Sequence, residues 1–387
     1  MIDLSLGFPV ASGLEDLQVI ARRAMRNVGS TLFNYDLPHG QWALRQQIAR
    51  MLVQQGLEVT PEDLIVTNGS KEGLSLALHY YLQPGDWVIV ESPTYHGVLP
   101  IFSSLKARVI GIPMTAEGMN LELLEQYLHT HRPKLIYTIS TLHNPTGVTT
   151  THAHRSSLLQ LAQRYKCVIL EDNAYEGLNF EAVPPPIKAL DRQDIVTYVG
   201  TFSKALMPGI RVGYMVVTGK HYQPLVERKL LHDYHVSTVS QAVISEFLAS
   251  GHYRRHLARL QSQHRQNRNA MLSAMERYFP PSASWTVPKG GIFLWVQISS
   301  DLSMPAVYQS ALSHNVLVAD GTWFFPECQG YNAMRLSFSH KPEVIEQGIS
   351  VLGGLLKDDQ ASSPKPKHSI KQPQPTKTRA DALGGAA

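Results

Sequence analysis

Between about residue 41 and residue 280, short apolar runs alternate with stretches of helical spacing. DLIVTN (63–68), DWVIVE (86–91), ARVIGIP (107–113), KLIYTIS (134–140), KCVILED (166–172), IVTYVGT (195–201) and RVGYMVV (211–217) predict strands. KEGLSLALHYYL (71–82), LELLEQYLHT (121–130) and SSLLQLAQRY (156–165) predict helices between them. Strands that are apolar along their whole length are buried on both faces. The pattern therefore predicts an α/β domain of three layers, a mostly parallel sheet with helices on either side.

Past this region the period changes. A long polar helix pattern spans 252–277, and GGIFLWVQI (290–298), NVLVAD (315–320) and AMRLSFS (333–339) predict a small sheet with helices at 304–314 and 342–356. Without βαβ alternation this reads as a second, smaller α+β domain. The chain divides into an N-terminal arm (1–30) packing on the small domain, a large domain (31–280), the small domain (281–357) and a tail (358–387). The tail holds Pro, Lys, Gln and Ser without apolar periodicity, which predicts disorder.

Composition narrows the function classes. Of 387 residues, 43% are hydrophobic and 17% charged, so a packed core is affordable and disorder cannot dominate. The net charge of +4 is misleading, because from Lys357 onward six basic residues face three Asp, leaving the body near +1. No nucleic-acid partner is expected from so little basic charge. Cys167 and Cys328 are too few for a disulfide framework, and Cys167 in CVIL reads as a buried thiol. The first basic residue is Arg22, after Asp3 and Glu15, so the order of a signal peptide is missing. No apolar run approaches the roughly 18 residues of a membrane span. A cytoplasmic protein without membrane or metal sites is the expectation.

In an open parallel sheet, ligands bind beyond the carboxyl ends of the strands. After DLIVTN come Gly69-Ser70 and a helix start, where backbone N–H groups and a hydroxyl can meet an anion, although Ser70 could equally be a plain cap. After KLIYTIS come Asn144-Pro145-Thr146-Gly147, which alone would be a surface turn. Asp172 ends an apolar strand and needs a partner; a cationic ligand nitrogen would suit it. After IVTYVG come Thr201, Ser203 and Lys204, with Arg211 seven residues on. An amine in such a place can have a depressed pKa and attack a carbonyl as a Schiff-base nucleophile. Phosphate at the helix start with Arg211, aldehyde at Lys204 and ring nitrogen at Asp172 are the parts of pyridoxal 5′-phosphate.

With those residues assembled, the sequence resembles the fold-type I pyridoxal-phosphate enzymes of the class I/II aminotransferase family. The matching segments are YDLPHG, GSKEGL, SPTYHG, NPTG, EDNAY, GTFSKALMPGIRVGY and MRLSFS, over roughly residues 2 to 356. Within that family it is most similar to the 2-aminoadipate and kynurenine aminotransferases and to the aminotransferase-like half of the MocR regulators. A chain beginning IDLSLGFP after Met1 leaves no room for the regulators' winged helix-turn-helix, so a ligand-sensing role without turnover is the remote alternative.

The resemblance implies amino-group transfer between an L-amino acid and a 2-oxo acid, with a lyase, decarboxylase or substitution enzyme as the runner-up. It implies Lys204 as the Schiff-base lysine and proton shuttle, Asp172 at the pyridine nitrogen and Tyr95 stacked on the ring. It also implies Asn144 and Tyr175 at the ring oxygen, and Gly69, Ser70, Lys71, Thr201, Ser203 and Arg211 around the phosphate. Tyr35 would reach the phosphate of a second subunit in a homodimer. Arg335 would grip the substrate carboxylate, which Gly7 would meet through its backbone, and Asn144 would also contact the substrate. Trp323 to Phe325 are expected along the side-chain end of the pocket, for an apolar or aromatic substrate. Lys71, His143 and Asp320 depart from the usual family pattern.

Overall fold

Val, Ile and Leu runs bounded by Gly, Pro and Asp turns assemble into an eight-stranded sheet in the computed structural model, which describes residues 1–8, 15–327 and 330–362. Its spatial order is Leu64–Thr67, Gly213–Val216, Val196–Thr201, Val168–Asn173, Leu135–Thr138, Trp87–Ser92, Arg108–Thr115 and Gly118–Met119. Strands 87–92, 108–115, 135–138, 168–173 and 196–201 run parallel, whereas 213–216 is antiparallel to both its neighbours. From 87–92 the chain moves outward to 108–115, then returns to 135–138 and proceeds the other way. The crevice between strands 87–92 and 135–138 is thus the switch point where an α/β sheet binds its ligand.

The centre of this sheet is dry. Ile169, Leu170, Val199, Ile136 and Val90 are fully buried, each contributing about 1.5–3 kcal/mol relative to exposure. Helices Ser70–Tyr81, Leu121–His131 and His152–Tyr165 follow their strands as the periodicity predicts. The three-layer α/β expectation holds. No helix among the described residues is long and apolar enough to cross a membrane.

The small domain is a four-stranded antiparallel sheet ordered Ser284–Trp285, Phe293–Gln297, Ala333–Ser337, Ala319–Asp320. Leu294, Val296, Leu336 and Phe338 pack there against Ile349 and Leu352 of the last helix. The predicted strand 315–320 divides: Val316–Leu317 pairs with Ile2–Asp3, and Ala319–Asp320 with the central strand.

Three expected boundaries change. Ile2–Asp3 and Leu4 do lie on the small domain, but helix Glu15–Val28 packs on helix Thr238–Ala249 of the large domain, through Ala24 against Ala242 and Val243. The arm thus bridges both domains, because its apolar residues match two separate cores. Helix His252–Tyr278 crosses the boundary placed at 280: Leu260 belongs to the large core, Met271 and Met275 to the small one. The last helix continues to Ser362, past the predicted end at 357; residues 363–387, the rest of the expected tail, lie outside the described residues.

Candidate active site

Five strand ends converge on one cavity lined by Ser70, Tyr95, Asn144, Asp172, Tyr175 and Lys204. Asp172 is the penultimate residue of strand Val168–Asn173, and its side chain is buried. Oδ2 accepts a hydrogen bond from the Tyr137 hydroxyl at 2.8 Å, whereas Oδ1 is buried without a partner. Burial raises the Asp172 carboxyl to about 6, against the lowering effects of Tyr137 and the Lys204 charge. An orphaned acceptor of this kind is costly until a donor meets it.

Lys204 leaves the turn after strand Val196–Thr201, and its Nζ donates to the Gly7 carbonyl at 2.7 Å. Burial lowers its pKa to about 8; the Arg335 and Arg211 charges act the same way, while Asp172 opposes them. At neutral pH an appreciable fraction of the amine is therefore free base, the nucleophilic form.

Beside this pair is a cradle for an anion. Gly69 holds φ 77°, and a Cβ there would sit 2.7 Å from Arg211 Nη2. A Cβ on Gly213 would come 2.6 Å from the Gly69 carbonyl carbon, so both glycines are needed for close approach. Helix Ser70–Tyr81 starts here, offering unpaired N–H groups. Arg211 donates to Ser203 Oγ at 3.3 Å and to the Asn68 carbonyl at 2.8 Å. Thr201 bonds Ser203 and the Val212 carbonyl, so it braces the turn. Lys71 stands exposed at the rim.

A buried network fixes this turn from below. Lys229, fully buried, donates to Glu72 at 2.9 Å and pairs with Asp233. Glu72 accepts from the Asn68 amide, and Asp233 from the Asn68 side chain.

Across the cavity, Arg335 is set on the central small-domain strand between Trp295 and Ala319. Its guanidinium lies 4.9 Å from the Phe293 ring and 5.1 Å from the Phe324 ring. Nη1 donates to Asn144 Oδ1 at 2.9 Å and Nη2 to the Ser5 carbonyl at 2.7 Å, while Nε is buried and unpaired. Asn144 reaches the Tyr175 hydroxyl at 3.4 Å, and Tyr175 reaches the Gly7 carbonyl at the same distance. Burial holds the Tyr175 phenol well above its ordinary range.

Behind Asn144 is a fully buried pair, His143 Nε2 3.8 Å from Glu91 Oε2, each without a hydrogen bond. Glu91 Oε1 accepts from Thr138 Oγ1 and from the Ile139 amide, tying the two strands of the switch point together. Burial pushes Glu91 up to about 7 and His143 down to about 3, so the imidazole is neutral and the carboxyl is the group of the pair that titrates near neutral pH.

Lys204, Asp172, Tyr95, Asn144, Tyr175, Ser70, Gly7 and Arg335 therefore meet around one connected space, with Gly69, Ser203 and Arg211 at its anion end. Tyr35 does not join them: it is 86% exposed and lies against Tyr234 and His235. Of the aromatic run, Trp323 and Phe324 line the outer cavity, but Phe325 turns away to pack on Trp295 and Tyr331. Sequence reading missed Tyr137 and His96. Tyr137 is the one hydroxyl-bearing ring in KLIYTIS, a weak signal since core strands often carry Tyr. The unpaired carboxylate oxygen, the amine of lowered pKa and the cationic cradle fit pyridoxal phosphate group by group.

The family described as aminotransferase class I and II matches residues 1–352. The chain is 31% identical to aromatic-amino-acid aminotransferase 1 of Thermococcus litoralis, over 93% of this chain and 88% of that protein. It is 33% identical to an HTH-type transcriptional regulator of Bacillus subtilis, over 84% of this chain and 68% of the regulator. The crystal structure of Pyrococcus horikoshii kynurenine aminotransferase with PMP superposes with a TM-score of 0.89, at 31% identity, covering 93% of this chain and 91% of that one.

Proposed function

The chain belongs to the class I and II aminotransferases and moves amino groups between amino acids and 2-oxo acids with pyridoxal phosphate, and we propose how its residues divide that work. When bound, the cofactor supplies an aldehyde that takes up amines and a ring that accepts the electron pair released at Cα. Lys204 Nζ is the covalent anchor and the base that carries the substrate's Cα proton, a role its lowered pKa supports. Asp172 Oδ1, buried and unpartnered, would receive the ring nitrogen and hold a proton on it. Tyr137, on the other oxygen, keeps the carboxylate aimed. Ser70, Ser203, Arg211 and the helix start with Gly69 and Lys71 hold the phosphate. Tyr95 would cover the ring face, and Asn144 and Tyr175 would donate to the ring oxygen.

Arg335 binds the substrate carboxylate, since it offers a forked donor in a dry, aromatic-walled slot beside the Gly7 backbone. Two copies form the working unit. Phe33, Tyr35, Leu231 and Trp42 leave large apolar surfaces exposed, and Tyr35 is free to serve a partner's phosphate.

The observation that carries this reading is the buried, unpartnered Oδ1 of Asp172 in the cavity that Lys204 shares. Borohydride reduction of the yellow holoenzyme followed by peptide mapping tests it. Label on Lys204, with loss of the absorbance band in Lys204→Ala, is expected; label on another lysine overturns it.

A further inference from the structure

His96 follows Tyr95 and lines the outer cavity together with Phe8, Trp323, Phe324 and Arg335. Its ring meets Phe324 edge-on at 5.0 Å and 83°, and Tyr95 at 5.3 Å. Neither ring nitrogen makes a hydrogen bond to another described residue, and His96 stands exposed at the mouth of the cavity. Burial, with the charges of Arg335, Lys71 and Lys204, pushes its pKa down to about 4, so the imidazole is neutral and both donates and accepts.

The charges of the site are already spoken for. Arg335 answers the α-carboxylate, Arg211 and Lys71 face the phosphate end, and Lys204 is the reacting amine. At the outer end the described lining consists of Phe8, His96, Ala319, Trp323 and Phe324, with no cation left for a second carboxylate. An acidic side chain would meet aromatic walls there without a counter-charge. A flat uncharged ring would pack edge-to-face against Phe324 and Trp323, and a donor on that ring would meet an imidazole nitrogen that no described protein group engages.

Resting on the assignment of Arg335 to the carboxylate, we infer that His96 is the specificity residue of this aminotransferase, selecting aromatic amino acids whose ring carries a hydrogen-bond donor, a phenol O–H or an indole N–H. The neutral imidazole accepts that hydrogen bond while Phe324 and Trp323 hold the ring plane. A ring without such a donor packs equally well but forgoes that hydrogen bond.

The test compares L-tyrosine, L-phenylalanine and L-glutamate as donors to one 2-oxo acid, in the wild-type holoenzyme, His96→Phe and His96→Gln. Alongside, calorimetry measures binding of para-hydroxyphenylpropionate, phenylpropionate and glutarate to the wild type. A single hydrogen bond corresponds to a wild-type preference of about tenfold for the phenol over the plain ring, in kcat/KM and in affinity. Both rings should exceed the dicarboxylate. His96→Phe should collapse the tyrosine-to-phenylalanine ratio to near one through KM, and His96→Gln should restore part of it. Equal wild-type binding of the two rings, an unaltered ratio in His96→Phe, or a preference for glutamate or glutarate overturns the inference. Absence of amino transfer from every donor would instead defeat the role given to Lys204, and the calorimetric ratio would still decide the role of His96.

Discussion

The Tyr137 hydroxyl donates to one oxygen of Asp172 at 2.8 Å and leaves the other oxygen, equally buried, for a ligand. Because that bond favours the ionised carboxylate, Tyr137→Phe raises the Asp172 pKa above about 6. The pH at which cofactor affinity falls on the acid side should move upward by roughly one unit, as expected for one charge-assisted bond. Fluorescence titration of apoenzyme with cofactor across pH 4–8 measures it, and an unmoved limb would mean that Tyr137 only fills space. Asp172→Asn, which keeps the shape and loses the charge, should lower kcat by at least about a hundredfold while the cofactor stays bound.

Lys204 should gain reactivity as the pH rises through about 8, since only the free amine attacks a carbonyl. Arg335 contributes to the depression by charge, so Arg335→Gln should shift this midpoint upward, toward the ordinary lysine value. Stopped-flow absorbance of apoenzyme mixed with pyridoxal phosphate at pH 6–9 reads both midpoints. Identical midpoints would remove Arg335 from the electrostatics of the lysine.

The Glu91–His143 pair makes stability depend on pH in a set direction. Glu91 binds its proton more tightly in the folded chain, up to about 7 from an ordinary 4.5, so its contribution is complete below about 4.5 and is lost as pH rises to about 7. Glu91→Gln cannot ionise. Its stability relative to wild type should therefore improve between pH 5 and pH 8, by an amount on the order of 3 kcal/mol at most. Urea unfolding at the two pH values gives the difference; a constant offset would place the titration elsewhere.

Lys229 is buried between Glu72 and Asp233. Lys229→Met strands a buried carboxylate and should cost about 3–5 kcal/mol, with weaker cofactor binding because the Asn68–Ser70 turn loosens. Adding Glu72→Gln should recover part of the stability but not the turn. If the single variant unfolds at the wild-type urea midpoint, the network is dispensable.

The exposed Tyr35, Phe33 and Leu231 predict a dimer with shared sites. Leu231→Asp should shift sedimentation toward the monomer and lower activity together, and mixing Tyr35→Phe with Lys204→Ala subunits should change activity non-additively. A fully active monomer rules the shared site out.

The alternation of apolar strands with helices was enough to predict the α/β fold, because period and apolar content are local properties of the chain. Asp172, Lys204 and Ser70 were legible for a related reason: a parallel sheet brings successive strand ends to one edge, so sequence position there is already a position in space. Other features needed the folded chain. Tyr137 looks like any core tyrosine until strand pairing brings it against Asp172, 35 residues away. Arg335 gains its slot only when Phe293, Phe324 and Asn144 arrive from three different segments. The backbone around Gly321–Phe324 turns Phe324 into the pocket and Phe325 out of it, which no hydropathy pattern distinguishes. The arm divides between two cores because short apolar segments take whichever matching surface the rest of the chain has built. Local pattern decided which elements form and where their ends lie; long-range packing decided which side chains share a cavity, and burial in that cavity set their charge.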